Sequence, residues 1–226
     1  MTRAEIKRNI RLRLAESPDD LREPLLLDEI VRIACNDVAQ RTDCYQTSFT
    51  LDIDGSPTAL GLFCLPGDLY KIKGVRVTLS DGSYRILTQR NGQFVTRTWM
   101  NQYIPTWATS PESGDPRYLV LERPEAQLYP FPNYDSTGGL ILYGFARPGD
   151  AWTSSAAAES DACPLPYYAH TAVELRGAYL RAMQFPSKDN MFRLPLLERE
   201  YEREIGIVAR HASQEHSDAS IYRGEI

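Results

Sequence analysis

Cysteine and histidine side chains are the residues of this chain best suited to hold a metal ion or to attack a substrate. They stand at Cys35, Cys44, Cys64, Cys163, His170, His211 and His216. No two cysteines form a CxxC pair, and the histidines are not interleaved with them at the spacing of a zinc site. Disulfide frameworks and zinc sites need tighter patterning than this. We therefore expect no metal ion, no cofactor and reduced cysteines, some of them small core residues.

The chain also lacks the sequence motifs of common enzyme classes. There is no GxGxxG, GxxxxGK[ST], GxSxG or HExxH. Carboxylates cluster at Asp19–Asp20 and between Glu198 and Glu204, but on a loop and a charged helix face, where nothing separates their pKa values as acid–base catalysis requires. His170 could act as a base, although a single histidine on a half-apolar helix is more often a packing or surface residue. We predict that the protein is not an enzyme.

Composition places the chain among ordinary globular proteins. Hydrophobic residues make up 42% and charged residues 24% of its 226 residues, enough to build a core. The net charge of −5 argues against a protein whose main role is to coat nucleic acid. No run of about 18 apolar residues would span a membrane, and the charged N-terminus does not resemble a secretory signal. We expect the protein to remain where it is made, without a membrane partner.

Helical periodicity is confined to the two ends of the chain. Ile6, Ile10 and Leu14 are spaced by four within a first helix over residues 3–15. A second helix is predicted from Pro24 to Gln40, and a third begins at residues 164–166 and ends at Pro186. The basic residues of the first helix indicate a solvated face or attraction to an acidic partner such as DNA.

A fourth helix carries apolar residues at steps of three and four along one face, which is typical of a coiled-coil seam. We predict that this seam packs subunits together. Its residues are Leu194, Leu197, Tyr201, Ile205 and Val208. Pro195 should fall in the first turn of that helix, because proline inside a helix bends it.

The middle of the chain changes to a period of two. Phe49, Leu51 and Ile53 predict a half-buried strand, and residues 58–65 its hairpin partner. Further strands are predicted over residues 72–79 and 84–88. Three more, over 118–121, 126–129 and 140–145, should form an antiparallel meander whose last turn is Gly138–Gly139. This number of short strands favours a sandwich or small barrel.

The fold class that follows is α+β. Residues 1–45 and 164–212 should form one helical bundle, and residues 46–148 an inserted antiparallel β-sandwich or barrel-like lobe. Residues 149–163 are predicted to be a linker or mobile loop. Residues 213–226 are predicted to be an extended tail that orders on a partner through Ile221, Tyr222 and Ile226.

A series of short motifs follows in order along most of the chain. They are LLLDEIVRIACNDVAQRT at 25–42, TLDI at 50–53, LPGDLYKI at 65–72, VRV at 75–77, GDPRY at 114–118, LYPFP at 128–132, the strand and proline at 140–148, LPYY at 165–168 and EREYERE at 198–204. In their order, these segments resemble the head-to-tail adaptor (connector) proteins of tailed bacteriophages.

The resemblance implies a structural role. Such adaptors form rings, commonly of twelve copies, that dock beneath the portal protein in the virion neck after synthesis in the host cytoplasm. Partners would be the portal, tail or nozzle proteins and other copies of this chain, with genomic DNA as passing cargo. The resemblance also implies that the helical bundle forms the ring body and that the C-terminal tail contacts the portal.

Two alternatives remain open. The β-rich lobe could bind a ligand such as a carbohydrate through Trp99, Tyr103 and Trp107, which would then be exposed in a groove. A less favoured alternative is an unrecognised hydrolase, which would need clustered carboxylates in a deep pocket.

Overall fold

The computed structural model describes residues 1–16, 24–56, 61–108, 112–122, 124–148 and 158–221. It is an α+β protein, with the strands between helices at the two ends of the chain. The chain divides into two compact units. We call Met1–Tyr45 with Ala146–Ile226 the helical unit, and Gln46–Phe145 the β unit. In sequence, the β unit is therefore an insertion into the helical unit.

The helical unit contains four of the described α-helices and one short 3-10 turn. They are α1 (Arg3–Arg13), α2 (Pro24–Thr42), the turn Tyr167–Ala169, α4 (His170–Gln184) and α5 (Lys188–Ile221). The remaining α-helix, α3 (Arg97–Tyr103), belongs to the β unit. The four predicted helices are confirmed. The fourth begins at Lys188, ahead of the predicted start, so Pro195 lies inside it.

The ends of α1 are fixed by local hydrogen bonds. At the start, Thr2 and Glu5 form a capping box, in which each side chain accepts a hydrogen bond from the other residue's backbone N–H. At the end, Ala15 takes a positive φ of 55°. There the Ala15 N–H donates to Leu12 O at 3.1 Å and the Glu16 N–H to Arg11 O at 3.0 Å, the Schellman arrangement.

The core of the helical unit lies where α1, α2 and α5 pack on α4. The predicted stripe Ile6, Ile10 and Leu14 is buried there. Small residues of α4 allow close approach, and Ile10 packs directly against Gly177. The alanines on the packing face of α4 are Ala172, Ala178 and Ala182.

The β unit contains two four-stranded sheets. The described strands are β1 (Gln46–Ile53), β2 (Leu62–Cys64), β3 (Leu69–Thr78), β4 (Tyr84–Thr88), β5 (Phe94–Thr96), β6 (Tyr118–Glu122), β7 (Glu125–Tyr129) and β8 (Ser136–Ala146). One sheet has the order β1-β8-β3-β4 and the other β2-β7-β6-β5. The β5–β6 pair is parallel, whereas the β3–β4 hairpin is antiparallel as predicted.

The predicted three-stranded meander is wrong in its last member. Strands β6 and β7 form the expected antiparallel pair, but β8 lies in the other sheet, between β1 and β3. The segment after Tyr129 contains Pro130 and Pro132, which cannot donate to a ladder. The chain therefore leaves one sheet here and enters the other.

Two further pairings differ from the predictions. Strand β2 pairs with β7, and β1 pairs with β8, so β1 and β2 are not a hairpin; residues 57–60 lie outside the described part. Gly138 is part of β8, where it takes a φ of 64°. The β1–β8 register shifts beside it, so this glycine forms a bulge and not a hairpin turn.

The C-terminal region also differs from its prediction. We expected an extended tail from residue 213, but α5 continues as a helix to Ile221. Residues 149–157 of the predicted linker lie outside the described part. Its last residues, 158–163, contact the start of α1, where the Arg3 N–H donates to Asp161 O at 3.0 Å. Among the described helices, none combines the length and apolar composition needed to cross a bilayer.

Candidate partner-binding surface

The apolar seam of α5 lies inside the helical unit. Leu197, Tyr201, Ile205 and Val208 are buried, and Leu194 is partly buried against the same core. They pack on α2 and α4 of their own chain. A side chain buried in its own chain is not available to another copy, so the structure assigns this seam to intramolecular packing instead of the predicted subunit contact.

A polar cluster accompanies the seam and joins three helices. The Tyr201 hydroxyl donates to Asp37 Oδ2 at 2.6 Å, and Arg176 Nε lies 3.0 Å from the same carboxylate oxygen. Arg41 donates two hydrogen bonds, of 2.8 and 2.7 Å, to the Glu202 carboxylate. Both guanidinium groups lie over the Tyr201 ring, 5.3 Å from its centre. The cluster fixes α5 against α2 and α4.

These contacts shift two pKa values. Burial raises the pKa of the Tyr201 hydroxyl above its usual range, and the hydrogen bond to the Asp37 carboxylate raises it further. The hydrogen bond from Arg41 lowers the pKa of Glu202. Both residues stay in the protonation state that their contacts need near neutral pH.

The basic residues of α1 are engaged largely within the chain. Arg3 is buried and pairs with Asp28 at 2.8 Å, and Lys7 pairs with Asp28 and with Glu159. Arg13 Nη2 lies 3.1 Å from the Glu174 carboxylate. The basic run of α1 is thus mostly a set of interhelical ion pairs, which leaves less positive charge for an acidic partner than the sequence alone indicates.

Large apolar side chains are exposed where α4 ends and α5 begins. We call Met183, Met191, Phe192 and Leu196 the corner patch. Phe192 is 76% exposed and the other three are 54–56% exposed. Phe192 and Leu196 are one turn apart on the same side of α5, opposite the buried seam.

The turn beside the corner patch is rigidly built. Ser187 Oγ accepts the Asn190 N–H at 3.0 Å, and Asn190 Nδ2 donates to Phe185 O at 2.9 Å. Arg181, 2% exposed, donates from Nε to Glu16 at 2.6 Å and lies over the Phe185 ring at 5.0 Å. Arg181 and Glu16 also line a cavity of about 470 Å³ at this turn. The patch is therefore presented by a fixed support.

The opposite end of α5 carries the predicted tail. The Tyr168 hydroxyl donates to Glu215 at 2.7 Å and its ring stacks on His211. These contacts fasten α5 as far as residue 215. Ile221 is the last helical residue, and Tyr222 and Ile226 lie outside the described part.

The aromatic residues of the suggested carbohydrate site differ in burial. Trp107 is buried, packs edge-on against Tyr129 and donates from Nε1 to Asn101 at 2.8 Å. The Trp99 and Tyr103 rings lie 5.0 Å apart, tilted by 32°, and Tyr103 is 61% exposed. Only the pair Trp99 and Tyr103 could meet a ligand.

Within the described ranges, no three His, Cys, Asp or Glu side chains are placed to hold a metal ion together.

No model of a known protein family matches the chain, and no curated protein sequence matches it significantly. Sequence reasoning missed the corner patch; the available signal was the apolar Met191, Phe192 and Leu196 lying off the seam of α5.

Proposed function

We propose that the protein is a structural component that acts by assembly, as a head-to-tail adaptor in the neck of a tailed bacteriophage. Its partners are further copies of itself in a ring of about twelve, the portal protein, and tail or nozzle proteins. Genomic DNA passes through the ring as cargo. In this proposal the helical unit is a bundle that forms the ring body, and the β unit is an inserted sandwich-like lobe.

The corner patch is the observation that carries this proposal. Phe192 and Leu196 are both exposed and lie one helical turn apart. Neighbouring exposed apolar side chains mark interaction sites, because leaving them in water costs free energy that a partner recovers. Phe192 is the most exposed member, and aromatic residues are common anchors of protein interfaces. A rigid turn that presents such an anchor is suited to repeated docking.

A closed ring requires two different surfaces on each subunit. The corner patch is one in our proposal. The other is the face of α1 and α2, where a cavity of about 450 Å³ is lined by Leu12 and Leu27, with Arg8 and Arg11 beside them. Leu12 is itself exposed. An apolar side chain of the size of Phe192 or Leu196 fits a cavity of this volume.

Sedimentation velocity over a range of concentrations, with the portal ring absent and present, tests the assembly claim. We expect the wild-type chain to form rings or to bind the portal, and Phe192→Ser with Leu196→Ser to lose that assembly while keeping its helical content. Ile86→Ser is the control, because Ile86 is exposed on the β unit. If the wild-type protein stays monomeric and does not bind the portal ring at any salt concentration, the adaptor role is refuted.

A chain ending at Glu215 tests the tail. It keeps the Tyr168–Glu215 contact but lacks Ile221, Tyr222 and Ile226. If the C-terminal segment contacts the portal, this shortened chain still forms rings and binds the portal more weakly. Unchanged portal affinity would remove the tail from the proposal and leave ring formation to the corner patch.

The pair of partly buried Trp99 and exposed Tyr103 supports a second candidate, a carbohydrate-binding β unit. Sugar rings stack on aromatic faces, and these two rings lie 5.0 Å apart with Tyr103 exposed. Glycan-array binding that is lost in Tyr103→Ala and kept in Tyr84→Ala, another exposed tyrosine of the β unit, would favour this function. Absence of binding on the array would exclude it.

A further inference from the structure

Each of the two sheets in the β unit has two edge strands, and these edges differ in length. In the sheet β2-β7-β6-β5 both edge strands, β2 and β5, have three residues. In the sheet β1-β8-β3-β4 the edge strands have eight and five residues. An edge strand presents backbone N–H and C=O groups to which another strand can add. Strands β1 and β4 are therefore the edges best suited to extend a sheet.

The backbone of β4 turns two residues towards its outer edge. The β3–β4 hairpin closes with the Leu79 N–H donating to Ser83 O at 2.8 Å, which makes residues 79 and 83 a hydrogen-bonded pair. Hydrogen-bonded and non-hydrogen-bonded pairs alternate along an antiparallel ladder. In the register of this hairpin, the N–H and C=O groups of Tyr84 and Ile86 therefore point away from β3.

These outward groups are open to a partner at Tyr84 and Ile86 but not at Thr88. The Thr88 N–H donates to the Gln93 side chain at 3.0 Å, which covers that end of the strand. The side chains of Tyr84 and Ile86 are 60% and 51% exposed. Within the described residues, no backbone hydrogen bond occupies their outward groups. Two successive outward residues of an exposed edge remain for pairing.

Strand β1 presents a matching edge on the other side of the same sheet. The Ala146 N–H donates to Tyr45 O at 3.2 Å, so this pair, one step beyond Gln46 in the β1–β8 register, is a hydrogen-bonded one. By the same alternation, the N–H and C=O groups of Ser48 and Thr50 point away from β8, and both side chains are exposed. On both edge strands, the outward residues carry their side chains on the face opposite the core.

The two edges carry opposite charges. Residues 84–90, YRILTQR, contain two basic residues and no acidic residue, whereas residues 46–54, QTSFTLDID, contain two acidic residues and no basic residue. The charged residues are Arg85 and Arg90 in the first segment and Asp52 and Asp54 in the second. Opposite charges on neighbouring strands are favourable, and like charges are unfavourable. The β4 edge is therefore better matched to β1 of a second copy than to β4 of a second copy.

We propose that β4 of one copy pairs with β1 of the next copy, so that their β1-β8-β3-β4 sheets become continuous. Tyr84 and Ile86 exchange backbone hydrogen bonds with Ser48 and Thr50. All four residues are outward residues, so their side chains stay on the solvent side of the joined sheet and the apolar side chains stay on the core side. One edge of each copy binds the opposite edge of the next, which is the head-to-tail contact that a closed ring needs.

The inference rests on the proposed assembly of copies, because the pairing edge is short. Two residues of β4, each with one N–H and one C=O, make too few hydrogen bonds to hold two free chains together. Copies that are already held in a ring by their helical units present the two edges to each other at a high effective concentration. The sheet contact is therefore a property of the assembled chain and not of the dilute monomer.

Amide hydrogen exchange at single-residue resolution tests the pairing on the full chain. Sedimentation velocity first defines one concentration at which the chain is monomeric and one at which it is assembled. We expect the amides of Ser48, Thr50, Tyr84 and Ile86 to exchange at least about tenfold more slowly in the assembled sample. Slower exchange at Tyr84 and Ile86 without slower exchange at Ser48 and Thr50 would show that another strand occupies β4, and would overturn the inference.

Two other outcomes separate this inference from the adaptor role. Assembly without any change at these amides would overturn the sheet pairing and leave the adaptor role standing. A chain that stays monomeric with and without the portal ring would overturn both.

Two substitutions at one position separate the backbone from the side chain. Ile86→Pro removes the outward N–H and leaves the β3–β4 ladder intact, because proline is tolerated where its nitrogen faces away from the sheet. Ile86→Ser loses the same side chain but keeps the N–H, so it is the matched control. We expect Ile86→Pro to lose the slow exchange at Ser48 and Thr50, and Ile86→Ser to keep it. Equal protection in the two variants would overturn the pairing, and the wild-type measurement decides the question if the proline variant does not fold.

Discussion

The Tyr201 hydroxyl donates a hydrogen bond of 2.6 Å to Asp37 Oδ2. Asp37 interrupts the apolar side of α2, and Tyr201 belongs to the apolar seam of α5. Burying a phenol or a carboxylate costs free energy unless the group is hydrogen-bonded. These two polar groups therefore favour the alignment of the apolar faces of α2 and α5 in which they meet. The contact therefore fixes the register of α5 against α2 as well as adding stability.

A double-mutant cycle measures this contact. We expect Tyr201→Phe to lower the free energy of unfolding by about 1.5–3 kcal/mol, because a hydrogen bond to a charged group is lost. Asp37→Ala should lower it further, since Arg176 also loses its partner. The coupling between the two substitutions should be about 1–2 kcal/mol. Strictly additive effects in urea unfolding would show that the hydroxyl and the carboxylate do not act together.

Alkaline pH should weaken the same contact. The pKa of Tyr201 is raised in the folded chain, so the stability it contributes is full below the unfolded tyrosine pKa of about 10 and is lost as pH rises toward the folded value. The stability difference between wild type and Tyr201→Phe should therefore shrink by up to about 1.4 kcal/mol per pH unit above about pH 10. Urea unfolding at a series of pH values gives this difference; parallel curves would contradict the pKa assignment.

Local patterns predicted the local parts of the fold. The apolar spacing of Ile6, Ile10 and Leu14 gave a helix and its buried face, because the 3.6-residue period needs no knowledge of the partner. The β3–β4 hairpin was likewise predictable, since Ser80–Ser83 is a turn sequence between adjacent strands. The positions of such elements follow from neighbours in sequence.

Non-local relationships did not follow from sequence. The pairing of β1 with β8 joins strands from opposite ends of the β unit, and many alternative partners satisfy the same alternation. The residues after Ala212 look like a polar tail, but adding turns to an existing helix avoids the cost of nucleation, so α5 continues.

Two helical glycines should respond in opposite ways to alanine. Gly177 of α4 packs so closely on Ile10 that an added Cβ would overlap Cδ1 and lie 3.0 Å from Cγ1. Gly206 of α5 has no atom within 4 Å of that position. Gly206→Ala should raise the free energy of unfolding by about 0.5–1 kcal/mol through helix propensity. Gly177→Ala should lower it by about 1 kcal/mol, because overpacking outweighs that gain.

Urea unfolding of both glycine variants provides the measurement, with each serving as the other's control. A stabilising Gly177→Ala substitution would mean that Ile10 can move aside, and that the approach of α1 to α4 is looser than the structure shows.

Two ion pairs of this chain differ in burial, so their contributions to the free energy of unfolding should differ. Arg181 and Glu16 form a pair whose side chains are 2% and 15% exposed, whereas Arg97 and Glu122 are each 58% exposed. Glu16→Gln leaves the buried Arg181 guanidinium without a counter-charge, so the free energy of unfolding should fall by about 3–5 kcal/mol. Glu122→Gln should change it by less than about 1 kcal/mol, because water already solvates that pair.

Added salt should reduce only the smaller effect. Equal losses from the two substitutions would show that Arg181 finds another partner, and the support of the corner patch would then not depend on Glu16.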